Sequence, residues 1–115
     1  MSNTNSGGPE WNEERARWLV GKHVVVGVTY MASDGKTVVN KEQFHGMILS
    51  AVEGAGFEVV CLSGRNEGET VMLPPVTTPF LDARPGNYKL HSTGEIVTNP
   101  DVTVAWTLTQ QPKPS

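Results

Sequence analysis

The run Val102-Thr103-Val104-Ala105-Trp106-Thr107-Leu108-Thr109 constrains the fold more than any other part of the chain. Large apolar residues alternate with small or hydroxyl-bearing ones along it, so one face is greasy and the other takes water. A period of two belongs to a half-buried β-strand and not to a helix. Other segments repeat the pattern, and the chain reads as a small mainly-β domain.

Residues 1–8 are polar and rich in Gly and Ser, and are expected to form an N-terminal tail. A short helix is expected over 9–20. Pro9 suits a first turn, Glu10, Glu13 and Glu14 suit the positive end of the dipole, and Gly21 supplies a stop. Trp11 and Trp18 stand seven apart, which on a helix puts both on one face and predicts that both dock on the sheet. The first strand covers 22–31, with Val24, Val26, Val28 and Tyr30 on one face. Asp34-Gly35 turns the chain, and a long return strand runs over 37–52, with Gly46 placed to allow a bend. Residues 57–63 pair back across 53–56. Setting Val52 opposite Phe57 puts Ile48 opposite Cys61 and makes both faces of this hairpin apolar, which predicts a central position. Shorter strands are expected over 69–73, 87–91 and 94–97, with a proline-rich loop over 74–86 and a C-terminal tail over 110–115. The expected architecture for 9–109 is one small SH3-like antiparallel barrel or rolled sheet preceded by a short N-terminal helix. A two-sheet sandwich is the rival.

At 115 residues the chain has room for one core without metal or disulfide staples. A formal charge of −3 with nine basic residues, scattered along the chain, argues against nucleic acid, whose binding depends on neutralising phosphates. A single cysteine, Cys61, makes no internal disulfide and fits a reducing, cytoplasmic setting. No secretion signal or membrane-spanning run is expected.

Catalytic and metal chemistry find little support. His23, His45 and His91 lie on three separate strand segments with no paired-histidine motif, so neither a metal site nor a cofactor is expected. Cys61 with His45 as base would make a nucleophilic pair. The expected register puts them on opposite faces, so Cys61 reads as core. No Gly-x-Ser-x-Gly elbow and no phosphate loop is present.

What remains is surface. Phe80 and Leu81 in the proline-rich loop would be costly in water, so capping of the core is expected, with a contact patch as the alternative. Trp18, Tyr30, His45, Arg65, Phe80 and Arg84 form the candidate binding surface, with a small-molecule mouth near Trp18, Tyr30 and His45 as one version of it.

The runs Gly21-Lys22-His23-Val24-Val25-Val26-Gly27-Val28-Thr29-Tyr30, Gln43-Phe44-His45-Gly46, Leu73-Pro74-Pro75 and Pro85-Gly86-Asn87-Tyr88-Lys89-Leu90-His91-Ser92-Thr93-Gly94-Glu95 resemble a family of small uncharacterised bacterial proteins. The resemblance covers 21–109 and implies a bacterial cytosolic origin, but brings no activity, ligand or site residue with it. Three functions stand at this point. The first is a non-catalytic module binding another protein (an inhibitor, an immunity-type antidote or an adaptor). The second is a small-molecule binder, and the third an enzyme whose acid–base residues converge from different strands. Oligomeric state is open.

Overall fold

The computed structural model describes residues 11–64 and 66–109, so the tails expected at 1–8 and 110–115, and Arg65, lie outside the described residues. The elements are α1 (Glu13–Leu19), β1 (His23–Met31), β2 (Val38–Val52), β3 (Gly56–Cys61), β4 (Thr70–Leu73), β5 (Leu81–Asp82), β6 (Asn87–Lys89), β7 (Ile96–Thr98) and β8 (Val102–Thr109). The chain is mainly β with one short helix, as its alternating pattern requires.

The helix starts later than the tryptophan spacing implies. Asn12 is its N-cap, and the Asn12 side chain accepts the Arg15 amide at 2.8 Å. Trp11 therefore precedes the helix, and seven-residue spacing no longer puts the two tryptophans on one face. Trp11 is buried, while Trp18 is 44% exposed and lies between the Arg15 guanidinium and the Lys22 ammonium, 4.7 and 4.6 Å from the ring centre. Ala16 and Leu19 form the buried face instead. Gly21 takes a φ of 88° just past the C-cap Val20, and its amide bonds Ile48 O at 2.7 Å, joining the helix exit to β2.

Six strands form one sheet in the order β4-β3-β2-β1-β8-β5, and β6 with β7 forms a separate hairpin. β1 and β8 run parallel, Val28 beside Trp106, so the all-antiparallel expectation is corrected. A parallel neighbour demands a long crossover, which the chain between β2 and β8 provides. The pairing does not close a barrel. The sheet nevertheless curls, because residues of β4 and of β8, with three strands between them, line one cleft.

The inner face carries the core: Leu19, Val24, Val26, Ile48, Phe57, Val59 and Val102 are all but inaccessible. Phe80 does cap it. Trp11, Phe57 and Phe80 stack in sequence, with ring centres 5.2 and 4.7 Å apart. Contacts with the helix and its cap are among those that hold the proline-rich loop there. The Asn12 amide donates to Thr77 Oγ1 at 3.0 Å, and the Arg15 guanidinium reaches Phe80 O at 3.2 Å and Asp82 at 2.9 Å.

The β2–β3 register differs from the expected pairing by one residue over Ser50–Val52 and by two from Ile48 to Gly46. Val52 faces Gly56, Ile48 faces Val59 and Gly46 faces Cys61, and a bulge at Leu49 adds the second residue of offset. Gly46 serves close approach and not bending: a Cβ there would overlap Val60 O and Val59 Cγ1. The hairpin is not central either. β3 is next to the edge strand β4, and the outer layer covers a different part of the sheet. That layer, residues 84–99, sets Leu90, Val97 and Tyr88 on Val25 of β1. Val25 is thus buried behind the core row of Val24 and Val26, and β1 has both faces covered.

Candidate functional site

The outer layer is fastened to the sheet by polar side chains as well as by Val25. The Gln43 amide donates to Ser92 Oγ at 2.8 Å, and Gln43 Oε1 accepts the His91 amide. Beside this bracket, His23 Nε2 and His45 Nδ1 meet at 2.8 Å, and His45 Nε2 stands 3.4 Å from Glu95 Oε2. Strand pairing explains the first contact. Val25 lies opposite His45, so His23, two residues earlier on the same face, is its diagonal neighbour. Asp101 completes the group from the start of β8. Its carboxylate accepts the His23 amide at 2.8 Å, and its own amide donates to His23 O at 2.9 Å.

One proton sits between the two rings. A carboxylate beside His45 Nε2 favours a proton on that nitrogen, which leaves Nδ1 to accept from His23 Nε2. The Glu95 contact is too poorly aligned for a hydrogen bond, and His45 Nε2 is shut off from water. The bridge survives one added proton on either ring and not two, since two imidazolium ions would set N–H against N–H. Burial pushes the His23 pKa below its ordinary value of 6.5; repulsion from His45 acts the same way, and Asp101 opposes both.

This chain of groups contains a base and an orienting carboxylate but no nucleophile. Cys61 lies opposite Gly46 on the inner face, away from His45, and only 1% of it is exposed. Burial first, and the charge of Glu69 second, push its thiol pKa above the ordinary value. Among the described residues no group of three or more His, Cys, Asp and Glu side chains is arranged to hold a metal ion. The His23–His45 bond joins β1 to β2, and Glu95 of the outer layer approaches this pair to 3.4 Å.

The candidate surface residues do not converge. Trp18 lies on the helix between its two cations, and His45 on the outer face under residue 95. Tyr30 lines an inner-face cleft of 230 Å³. Phe80 is core. Arg84 is exposed, and its carbonyl accepts the Tyr88 hydroxyl at 2.7 Å. Arg65 lies outside the described residues. His91 sits at the rim of a second cleft, of 530 Å³, between β1, β2 and the turn at Ser92.

A further surface went unread in the sequence: the outer face of β3 and β4. Met72 and Leu62 are 55% and 41% exposed, and Val60 is half-buried between Thr70 and Met47. Leu49, at the bulge, and Val52 add 48% and 52% exposed side chains on the neighbouring strand. β4 ends the sheet, so one side of its backbone has no strand partner. The signal was present as apolar residues at both parities of 47–62. It was read as burial on two sides, because sequence cannot say how far the outer layer reaches.

No family model, curated protein or solved structure matches this chain.

Proposed function

We propose that the protein is a non-catalytic interaction module that receives an extended segment of another protein along β4. The observation that carries this reading is the uncovered outer face around Met72, Leu62 and Leu49 beside an open strand edge. Main-chain hydrogen bonds to such an edge supply affinity, and alternate side chains on the neighbouring face supply specificity. Exposed apolar side chains gathered at one place on a small domain mark an interface more often than chance.

Charge selects the partner. From 46 to 73 the sequence carries Glu53, Glu58, Glu67 and Glu69 against the single Arg65. An apolar strand flanked by Lys or Arg complements that rim. A second copy of this chain would bring glutamates against glutamates, so the protein itself is expected to be a monomer. Residence in the cytoplasm and a role as inhibitor, antidote or adaptor belong to the same reading. No helix among the described residues is long and apolar enough to cross a membrane.

The test compares wild type with Met72→Lys, which adds a repelling charge at an exposed position. Wild-type protein is expected to recover one stoichiometric partner from extracts of its own cells, less at high salt, and to gain amide-exchange protection over Thr70–Leu73 when bound. The variant, folded as judged by its NMR spectrum, is expected to lose both. Equal recovery by the variant, or protection elsewhere than β4, overturns the proposal.

A further inference from the structure

Docking along β4 by its outer face leaves the inner side of that strand unused. Beyond the core, where the sheet curls, a 230 Å³ cleft opens between β4 on one side and β1, β2 and β8 on the other. Register builds it. Val28 lies level with Trp106 on β8, and two residues further on Tyr30 has Leu108 beside it. Two residues back, Val26 has Phe44 of β2 beside it. Val71 and Leu73 of β4 close the far wall, because Val71 lies opposite the core residue Val59 and shares its face.

Tyr30, Phe44, Val71 and Trp106 pack against the core from its edge and are only partly buried. The Glu42 carboxylate is already engaged, with the Tyr30 hydroxyl 3.5 Å from its Oε1, so the cleft offers a newcomer mainly ring and aliphatic surface. The volume lies below the roughly 300–1,000 Å³ of sites for drug-sized ligands and suits one bulky side chain.

The ladder of β3 and β4 decides which side chain a docked strand brings there. The Cys61 amide donates to Glu69 O at 2.8 Å, which makes Cys61 and Glu69 a hydrogen-bonded pair just before β4. Alternation along an antiparallel ladder then makes Val59–Val71 and Phe57–Leu73 the next such pairs. Thr70 and Met72 therefore turn their N–H and C=O groups to the open edge, and Pro74, which has no N–H, ends the row. A strand bonded to Thr70 and Met72 sets one residue level with Val71. Whichever way that strand runs, this residue shares the face of Val71 and lies over the cleft.

We propose that the segment docked on β4 carries a bulky apolar anchor level with Val71, best an aromatic one, which fills the cleft against Tyr30, Phe44 and Trp106. This anchor presupposes the docking along β4 and fixes which residue of the segment gives specificity. Tilted ring contacts favour an aromatic side chain there, and an aromatic that fills a pocket at the centre of an interface carries a large share of its binding energy. Neither end of this chain supplies it. Residues 1–10 hold Met1 as their one large apolar side chain, and 110–115 carry Pro112 and Pro114, which cannot donate to a ladder. The anchor therefore comes from another protein.

The experiment is an NMR titration of the full chain with the synthetic peptide Lys-Thr-Val-Phe-Val-Thr-Lys, whose ends complement the glutamate rim, and with the same peptide bearing Ala in place of Phe. With the Phe peptide, saturable shifts are expected at the amides of Thr70 and Met72 and at the Trp106 indole N–H, with the indoles of Trp11 and Trp18 unmoved. The Ala peptide is expected to bind at least roughly tenfold more weakly, the scale of a lost hot-spot anchor, and to leave Trp106 in place. Leu108→Trp, which fills the cleft from a position 45% exposed, should bring the Phe peptide down to the affinity of the Ala peptide without changing the latter. Equal affinity of the two peptides, or an unmoved Trp106 while Thr70 and Met72 shift, overturns the anchor and leaves docking along β4 standing. Absence of saturable shifts with the Phe peptide into the millimolar range also overturns the anchor, whereas docking itself is judged by Met72→Lys on the cellular partner.

Discussion

His23 and His45 share one hydrogen bond, Nε2 to Nδ1 at 2.8 Å, across two antiparallel strands that a single Asp-Gly turn joins. This contact joins β1 to β2 within the sheet, and Glu95 of the outer layer stands 3.4 Å from the other ring nitrogen of His45. The contact also shows what an imidazole pair does when no nucleophile and no open cleft accompanies it. The rings hold two neighbouring strands together.

Stability is expected to fall on acidification from neutrality. The His23 pKa is lowered in the folded state, so the unfolded chain binds its proton first as pH drops. The stability present above the unfolded value of about 6.5 is lost progressively between that value and the lower folded one. Asp34 behaves oppositely to a buried base in cause, though not in sign. The Lys36 amide bond, first among its causes, together with the Thr37 amide and hydroxyl, lowers its pKa, so its contribution is lost only in the ordinary carboxylate range and below. Urea midpoints between pH 7.5 and 5 should therefore decline, and His23→Gln should flatten that decline. A midpoint that rises towards pH 5 would contradict the lowered His23 pKa.

Gly46→Ala should destabilise the fold by about 2–3 kcal/mol, the cost of forcing an extra methyl into a packed interior. The added carbon would overlap the Val60 carbonyl, which is fixed by the β2–β3 ladder and cannot rotate away. Chemical denaturation measures this directly. Gly27→Ala is the control, because a Cβ on that glycine meets nothing within 4 Å.

Neighbouring residues of the proline-rich loop should behave differently. Phe80→Ala removes a ring 3% exposed and stacked on Phe57, for a loss of about 3–5 kcal/mol. Leu81→Ala trims a side chain 62% exposed, and a change within about 0.5 kcal/mol is expected. Similar losses at both positions would mean that the loop does not cap the core.

The Cys61 thiol should resist labelling by a disulfide reagent in the native state and react at once in denaturant. It is buried on the inner face, and burial holds its pKa above the ordinary range, so little thiolate exists to attack. Rapid native-state labelling would show that the inner face opens, and would remove Cys61 from the core.

Local pattern settled most of the strands, though not β5, a two-residue strand inside the run expected as a loop that forms only by pairing with β8. The alternation over 102–109, the Asp34-Gly35 turn and the valine row of Val24, Val26 and Val28 each specify an extended segment and its inward face from neighbours a few residues away. The core role of Cys61 followed too, because the pairing at Cys61 is off by two residues, and a slip of two keeps it on the side away from His45. The helix was legible in kind but not in extent. Asn12 takes the cap through a bond to Arg15, and that choice buries Trp11 while leaving Trp18 outside.

Only tertiary structure decided the rest. Pairing of β8 parallel to β1, the bulge at Leu49, the reach of the outer layer and the cleft beneath Trp106 all join residues far apart in the chain. The meeting of His23 with His45 was nearly readable, because folding at Asp34-Gly35 sets them diagonal on one face. Glu95 was not, because nothing local says where a returning turn will land. Strand identity is set by the backbone and its nearest side chains, whereas a site is set by which faces become covered, and coverage belongs to the whole molecule.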